Sequence, residues 1–186
     1  AVRRIIDQLP SEGYLNPAQV RTLLGAANIP MVAEFTSDNK EEILEFAKKV
    51  KYPVVAKVVG PVHKSDIGGV ALNIKYEEHL LFEFERMMRL PDVTSIMVQP
   101  MLKGQELFLG AKYEEKFGHV VLCGLGGIFV EVLQDVSYGL SPLSYDEAYS
   151  MIRSLRGYPI IKGTRGQKGI DENQYADIIV RLSTLL

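Results

Sequence analysis

The sequence holds a single cysteine, Cys123, so no disulfide can form within the chain. Its three histidines share no metal-ligand spacing with that cysteine, which excludes a zinc site of the usual Cys/His kind. With no signal-like leader, a reducing and cytoplasmic setting is expected, with Cys123 packed in a strand. An excess of positive charge is also lacking. The 21 Lys and Arg stand against 23 Asp and Glu and are scattered along the chain, which argues against a nucleic-acid partner. No apolar run reaches the roughly 18 residues of a membrane span; GHVVLCGLGGIFVEVL, among the longest, is broken by glycines. Internal repeats and low-complexity tracts are absent as well.

What is present is enough apolar material, 47% of 186 residues, to bury a real core in one large domain or two small lobes. Val2, Ile5, Ile6 and Leu9 repeat at helical spacing, and Asn16 with Pro17 is a helix start. Met31–Phe35 reads as a short strand. Asp38 with Glu41 forms a capping-box pattern ahead of a helix whose buried face is Ile43, Phe46, Ala47 and Val50. Leu80, Leu81, Phe84, Met87 and Met88 line another helix, and Ser95–Gln99 is a strand. A second set of strands follows from Glu106. Ser144 with Glu147 is a further capping box, and Asp171 caps a last helix with Tyr175, Ile178, Ile179 and Leu182 on one face. The chain starts at Ala1 directly in a helical pattern, as expected of a piece of something longer.

The chemistry concentrates in Tyr52–Lys75, YPVVAKVVGPVHKSDIGGVALNIK. Val54, Val55, Ala56, Val58 and Val59 are too continuous for a strand wetted on one face, so Lys57 projects from a buried run and needs an anion. Gly60, Pro61, Gly68 and Gly69 let the connecting loop bend and bring backbone amides close to a ligand. Each feature alone has an ordinary reading. A strand lysine is commonly a solvated edge residue, a loop histidine such as His63 a surface residue, and a Gly-Gly pair a turn. Lys57 six positions before His63, with the glycines five beyond, together fit a phosphate.

This stretch resembles the nucleotide-binding domain of the NDP-forming acyl-CoA synthetases, the ADP-forming acetyl-CoA synthetase family, which is built around a YPVVxK strand and an HKSDxGGV loop. LLGAANIP at 23–30, VQPMLKGQELFLG at 98–110, FGHVVLCGLGGIFVEVLQDVSYGLSPL at 117–143 and GTRG at 163–166 resemble further motifs of that family in the same order. The likeness runs from about Leu15 to the end. It implies an α+β ATP-grasp fold: two α+β lobes with a nucleotide cleft between them and the C-terminal strands missing. The lobes are expected at 31–100 and 101–186, with helices at 1–30 leading in. Nucleotide-binding residues implied by the resemblance are Lys57, Gly68, Gly69, Gln99, Met101, Glu106 and Arg165. Gln99 and Met101 would flank the adenine, and Glu106 would meet the ribose. His63 would be catalytic, taking part in a phosphoryl relay. The expected cofactors are ATP/ADP and, in the full-length enzyme, Mg²⁺. The family's metal ligands lie in an EINP-like strand and a later Asp beyond Leu186, so those within this chain are unknown.

The implied reaction takes acyl-CoA, ADP and phosphate to carboxylic acid, CoA and ATP, through an acyl phosphate and a phosphohistidine. Its partners are the nucleotide and the CoA-binding and phosphohistidine-bearing domains of the same enzyme; the fragment alone is expected to be inactive. Departures are Pro17, Gln19, Arg21 and Asn28 in the first motif, and Gly139 where the family more usually carries Arg. Those departures favour the alternative, a non-catalytic nucleotide-binding regulatory domain of a larger protein such as a protein acetyltransferase; the retained His63 favours the ligase. A plain interaction module would require the Lys57 and His63 spacing to be coincidence. On the residues alone, Glu106 is a solvated strand residue, and GLGGIFVE lacks the context of a dinucleotide fold. Glu131 and Asp135 sit four apart on an extended run and need not converge on a metal.

Overall fold

The structure is a computed structural model that describes residues 2–7, 13–61, 67–127, 130, 132, 134–164, 166 and 168–186. In chain order its elements are α1 (Val2–Ile6), α2 (Pro17–Ala26), β1 (Phe35–Ser37), α3 (Lys40–Val50), β2 (Val54–Val59), β3 (Val70–Ile74), α4 (Glu77–Met87), β4 (Ser95–Pro100), β5 (Leu107–Glu114), β6 (Gly118–Leu125), β7 (Val136–Leu140), α5 (Tyr145–Ser154), α6 (Tyr158–Lys162) and α7 (Glu172–Leu185). They fall into two compact units, Val32–Lys103 and the combination of Ala1–Met31 with Gly104–Leu186.

The unit Val32–Lys103 is a four-stranded antiparallel sheet, ordered β1-β4-β2-β3, with α3 and α4 on one face. Alternation along β2 decides what packs there. Val54, Ala56 and Val58 point to the helices and join Ile43, Ala47, Leu80, Phe84, Met87, Ile96 and Val98 in one core. Val55 and Lys57 point to the other face, where Val55 is also buried. The cap of α3 is Asn39, not Asp38: the Asn39 side chain accepts from the backbone N–H groups of Glu41 (2.9 Å) and Glu42 (3.2 Å). The first strand likewise starts at Phe35 rather than Met31, because pairing with β4 holds only Phe35, Thr36 and Ser37.

The other unit is an antiparallel meander, β5-β6-β7, packed on α5 and α7. Val121, Cys123 and Leu125 face the helices and meet Ala148, Met151, Ile152, Ala176 and Ile179. Ser144 and Glu147 form the expected capping box, and Asp171 accepts from Gln174 N at 3.0 Å. At the N-terminal end, Asn16 and Gln19 cap α2 reciprocally, with Pro17 as its first residue. The Tyr175 hydroxyl donates to Phe108 O at 2.6 Å and accepts from Gly124 N at 3.2 Å, so it fastens α7 to two strands. Burial raises its pKa, and it pushes the neighbouring Cys123 thiol up to about 12. Cys123 is therefore a packing residue.

Two glycines show how tightly the strands are held. Gly139 faces the core of its unit, where a Cβ would come 2.6 Å from Met151 Sδ and 2.7 Å from Leu143 Cδ2. A larger residue on this backbone would press into the core, so Gly139 is a packing position here. Gly60 ends β2 at φ +123°, and a Cβ there would lie 2.1 Å from the backbone oxygen of Asp92. Both the dihedral and the collision exclude other residues. Gly60→Ala is expected to lower stability by about 2 kcal/mol or more, read as a shifted urea midpoint; an unchanged midpoint would show that the strand end can relax.

Candidate functional site

Lys57 stands between two fully buried residues of β2, Ala56 and Val58, and projects from the face turned away from the helices. Register supplies its partner. Val55 pairs with Gln99 and Lys57 with Met97, so Lys57 and Gln99 are diagonal neighbours on that face. The Lys57 ammonium donates to Gln99 Oε1 at 2.8 Å, and Gln99 Nε2 donates to Glu34 Oε2 at 2.7 Å. All three side chains are half-buried. A lysine only donates and a carboxylate only accepts, so this amide orientation alone satisfies both neighbours.

The glycines implicated by the loop lie at the start of β3. The Val58 N–H donates to Gly69 O at 2.8 Å, and Arg86 on α4 donates through Nη2 to Gly68 O at 2.9 Å. Glu83 orients Arg86 by accepting from its Nε at 2.8 Å. Both glycine carbonyls are thus tied to the protein. His63 and Arg165 fall outside the described residues. Just beyond β4, the Met101 N–H donates to Pro53 O at 2.9 Å and continues the β2–β4 ladder. That N–H is engaged, which leaves other Met101 groups to meet any ligand.

In the other unit Glu106 is exposed at the head of β5, and the GLGG segment lies against it. Gly126 N donates to Glu106 O at 2.8 Å. A Cβ on Gly127, which has φ +63°, would sit 2.7 Å from Glu106 Oε2. A side chain at 127 would cover the carboxylate, so the glycine keeps it open. Glu106, Leu107, Phe108, Gly126, Gly127 and Val130 line an open groove of ≈ 510 Å³. A second hollow of ≈ 440 Å³ is lined by Gly104, Gln105, Gly163, Thr164, Lys168 and Gly169 among others, which brings Lys168 of the GTRGQKG loop to a polar recess.

A family model described as an ATP-grasp domain matches residues 9–186. Over 194 residues the chain is 37% identical to the acetate–CoA ligase [ADP-forming] I subunit beta of Pyrococcus furiosus, covering 98% of this chain and 84% of that subunit. The chain belongs to the ATP-grasp family of ADP-forming acyl-CoA synthetases. Its ATP-grasp domain is also 37% identical to acetate–CoA ligase [ADP-forming] I of Archaeoglobus fulgidus, spanning 97% of this chain and 28% of that longer one. Among solved structures, the acetyl-coenzyme A synthetase 1 of Ca. Korarchaeum cryptofilum in complex with coenzyme A, Ca-AMPCP and HgCl+ superposes with a TM-score of 0.87 at 30% identity, covering 97% of this chain and 84% of the other. The same enzyme with coenzyme A and Mg-AMPPCP, its phosphohistidine segment pointing towards the nucleotide binding site, gives 0.80 at 30% identity, covering 97% and 83%. The fold is ATP-grasp, and the chain is the ATP-grasp part of an NDP-forming acyl-CoA synthetase.

An ATP-grasp domain of this family implies Mg²⁺, and the described acids provide no ready-made site for it. Among the described residues no three His, Cys, Asp or Glu side chains converge. Asp135 is buried, with Oδ1 accepting from Arg156 N (2.9 Å) and Oδ2 from Gly157 N (2.6 Å) at the start of α6. Both oxygens serve backbone donors, so Asp135 is an anchor for the α5–α6 corner; Glu131 lies outside the described residues. Asp135→Ala is expected to cost about 2 kcal/mol through two unsatisfied N–H groups. The urea midpoint should fall equally with and without Mg²⁺, whereas a loss seen only with Mg²⁺ would make Asp135 a metal ligand.

Two residues of this region escape a reading of the sequence. Glu34 and Arg86 belong to no motif and are found only through strand register and the packing of α4.

Proposed function

We propose that this chain handles the nucleotide in a ligase that converts acyl-CoA, ADP and phosphate to a carboxylic acid, CoA and ATP, with a phosphohistidine on a partner domain as the carrier. The observation that carries this reading is the Lys57 ammonium, held beside buried strand residues by a neutral amide oxygen rather than a carboxylate. Lys57 and the backbone around Gly68 and Gly69 take the phosphates; Glu106 takes the ribose hydroxyls, with Gln99 and Met101 near the base. Arg165, which lies outside the described residues, would add charge to the same task.

In the transfer, His63 takes the phosphoryl group from the partner domain's phosphohistidine, one P–N bond forming as the other breaks, and a terminal oxygen of ADP then attacks phosphorylated His63. A P–O bond forms, the P–N bond breaks, and the imidazole leaves neutral after protonation. Charge on the transferred group must be neutralised throughout, which is the work of lysine, arginine and backbone amides. Mg²⁺ accompanying the nucleotide would supply further neutralisation and needs only one or two carboxylates besides phosphate and water oxygens. His63 acts as the relay that receives or passes on the phosphoryl group. CoA-binding and phosphohistidine-bearing domains complete the enzyme; relatives with those ligands in view support the assignment.

Lys57→Ala should weaken ADP binding by about 1.5 to 3 kcal/mol, the range of a charge-assisted hydrogen bond, as measured by calorimetry on folded protein. Unchanged affinity would return Lys57 to an ordinary strand lysine. In the ligase assembled with its partner domains, His63→Ala should abolish ATP formation and spare acyl phosphate formation. A variant that still forms ATP at the native rate would remove His63 from the relay.

A further inference from the structure

We propose that Glu34 is a positioning residue for nucleotide binding, acting through Gln99 on Lys57. The inference rests on the reading that Lys57 takes a nucleotide phosphate and extends it to a residue outside every motif. Its basis is geometric. Phe35 pairs with Val98 across β1 and β4, so one step further along the antiparallel register sets Glu34 opposite Gln99. The Gln99 amide then lies between two groups of opposite charge, 2.7 Å from the Glu34 carboxylate and 2.8 Å from the Lys57 ammonium.

An amide placed this way has its orientation fixed by the carboxylate. With Glu34 accepting from Nε2, Oε1 is presented to Lys57 and holds the ammonium at one point of the face. Remove the carboxylate and the amide is free to turn, offering Lys57 a donor it cannot use. The lysine would then sample many rotamers and have to be ordered by the ligand, which reduces affinity. The carboxylate also sits one side chain away from the ammonium rather than against it. It orders Lys57 while leaving the positive charge to be matched by phosphate. Gln99 lies on the strand that runs into the proposed base-contacting segment, so the same residue links the placement of Lys57 to that of the base.

The test is ADP titration of the native chain and of the variants Glu34→Ala, Glu34→Gln, Lys57→Ala and the double variant Glu34→Ala/Lys57→Ala, each checked for an unchanged circular-dichroism spectrum. Glu34→Ala is expected to raise the Kd for ADP about tenfold, equivalent to about 1.4 kcal/mol. Glu34→Gln keeps an acceptor for Nε2 and should raise it less. The decisive readout is coupling. If Glu34 acts through Lys57, Glu34→Ala loses most of its effect once Lys57 is alanine, leaving at most what Gln99 contributes beside the base. Equal losses in the native and Lys57→Ala backgrounds, or an unchanged Kd in Glu34→Ala, would overturn the inference and leave Lys57 as a phosphate ligand. If Lys57→Ala itself leaves ADP affinity unchanged, the phosphate reading falls and the inference with it.

Discussion

Lys57 is half-buried between strand neighbours wholly excluded from water, and its ammonium is met by an acceptor from a neighbouring strand of the unit Val32–Lys103. Burying an ammonium without a partner costs several kcal/mol, roughly. A carboxylate directly against Lys57 would remove that cost and would also cancel the charge. Here the acceptor is an amide oxygen, and the carboxylate stands behind the amide. The ammonium is met by a neutral acceptor, with the carboxylate behind it. A neutral acceptor of this kind leaves an ammonium able to meet an anion as well.

The order of the sheet serves the same contact. β2 is central between β4 and β3, so one neighbour supplies Gln99 while the other begins at the two glycines. The Val58 N–H, next in the chain to Lys57, holds Gly69 O. Arg86 reaches Gly68 O from α4, and Glu83 fixes Arg86. The lysine and the glycine segment are thereby located by the same strand and by the helix packed beneath it. Gly60, which no other residue could replace on this backbone, lets β2 end where the intervening loop begins.

Much of this was legible in the sequence because it is local. The continuous run Val54–Val59 signals burial on both faces, and Val55 is buried on the face that Lys57 shares. The caps at Asn16, Ser144 and Asp171 follow from adjacent residues: Pro17 after Asn16, Glu147 three after Ser144, and a capping acid at 171 ahead of an apolar face. The error at α3 is of the same local kind: Asp38 and Asn39 both offer a capping oxygen, and the backbone takes Asn39. What could not be read was set by register. Gln99 is 42 residues from Lys57 and Glu34 is 65 residues from Gln99, and nothing in the intervening sequence states which residues of β1, β2 and β4 will stand side by side. Gly139 and Asp135 show the same limit from the other direction. By sequence, one is only a departure from the family's Arg and the other only an acid four residues from Glu131; by packing, one makes room for Met151 and the other accepts from the backbone N–H groups just ahead of α6.

The acids of the chain are therefore best distinguished by what their oxygens already accept. Asp135 accepts two backbone N–H groups and has a structural duty that a ligand would have to displace. Glu34 accepts from an amide that in turn accepts from a lysine, so its charge acts at one remove. Glu106 is exposed, and the glycine at 127 keeps the space beside its Oε2 clear of any side chain. An open carboxylate is an acceptor for vicinal hydroxyls, and the glycines beside it are also required by packing: a Cβ on Gly126 would lie 2.9 Å from the backbone carbon of Glu106, and Gly127 has φ +63°. The GLGG segment, weak as a motif for a dinucleotide fold, is accounted for by close backbone approaches at Gly124 and Gly126 and by the acid that Gly127 leaves uncovered.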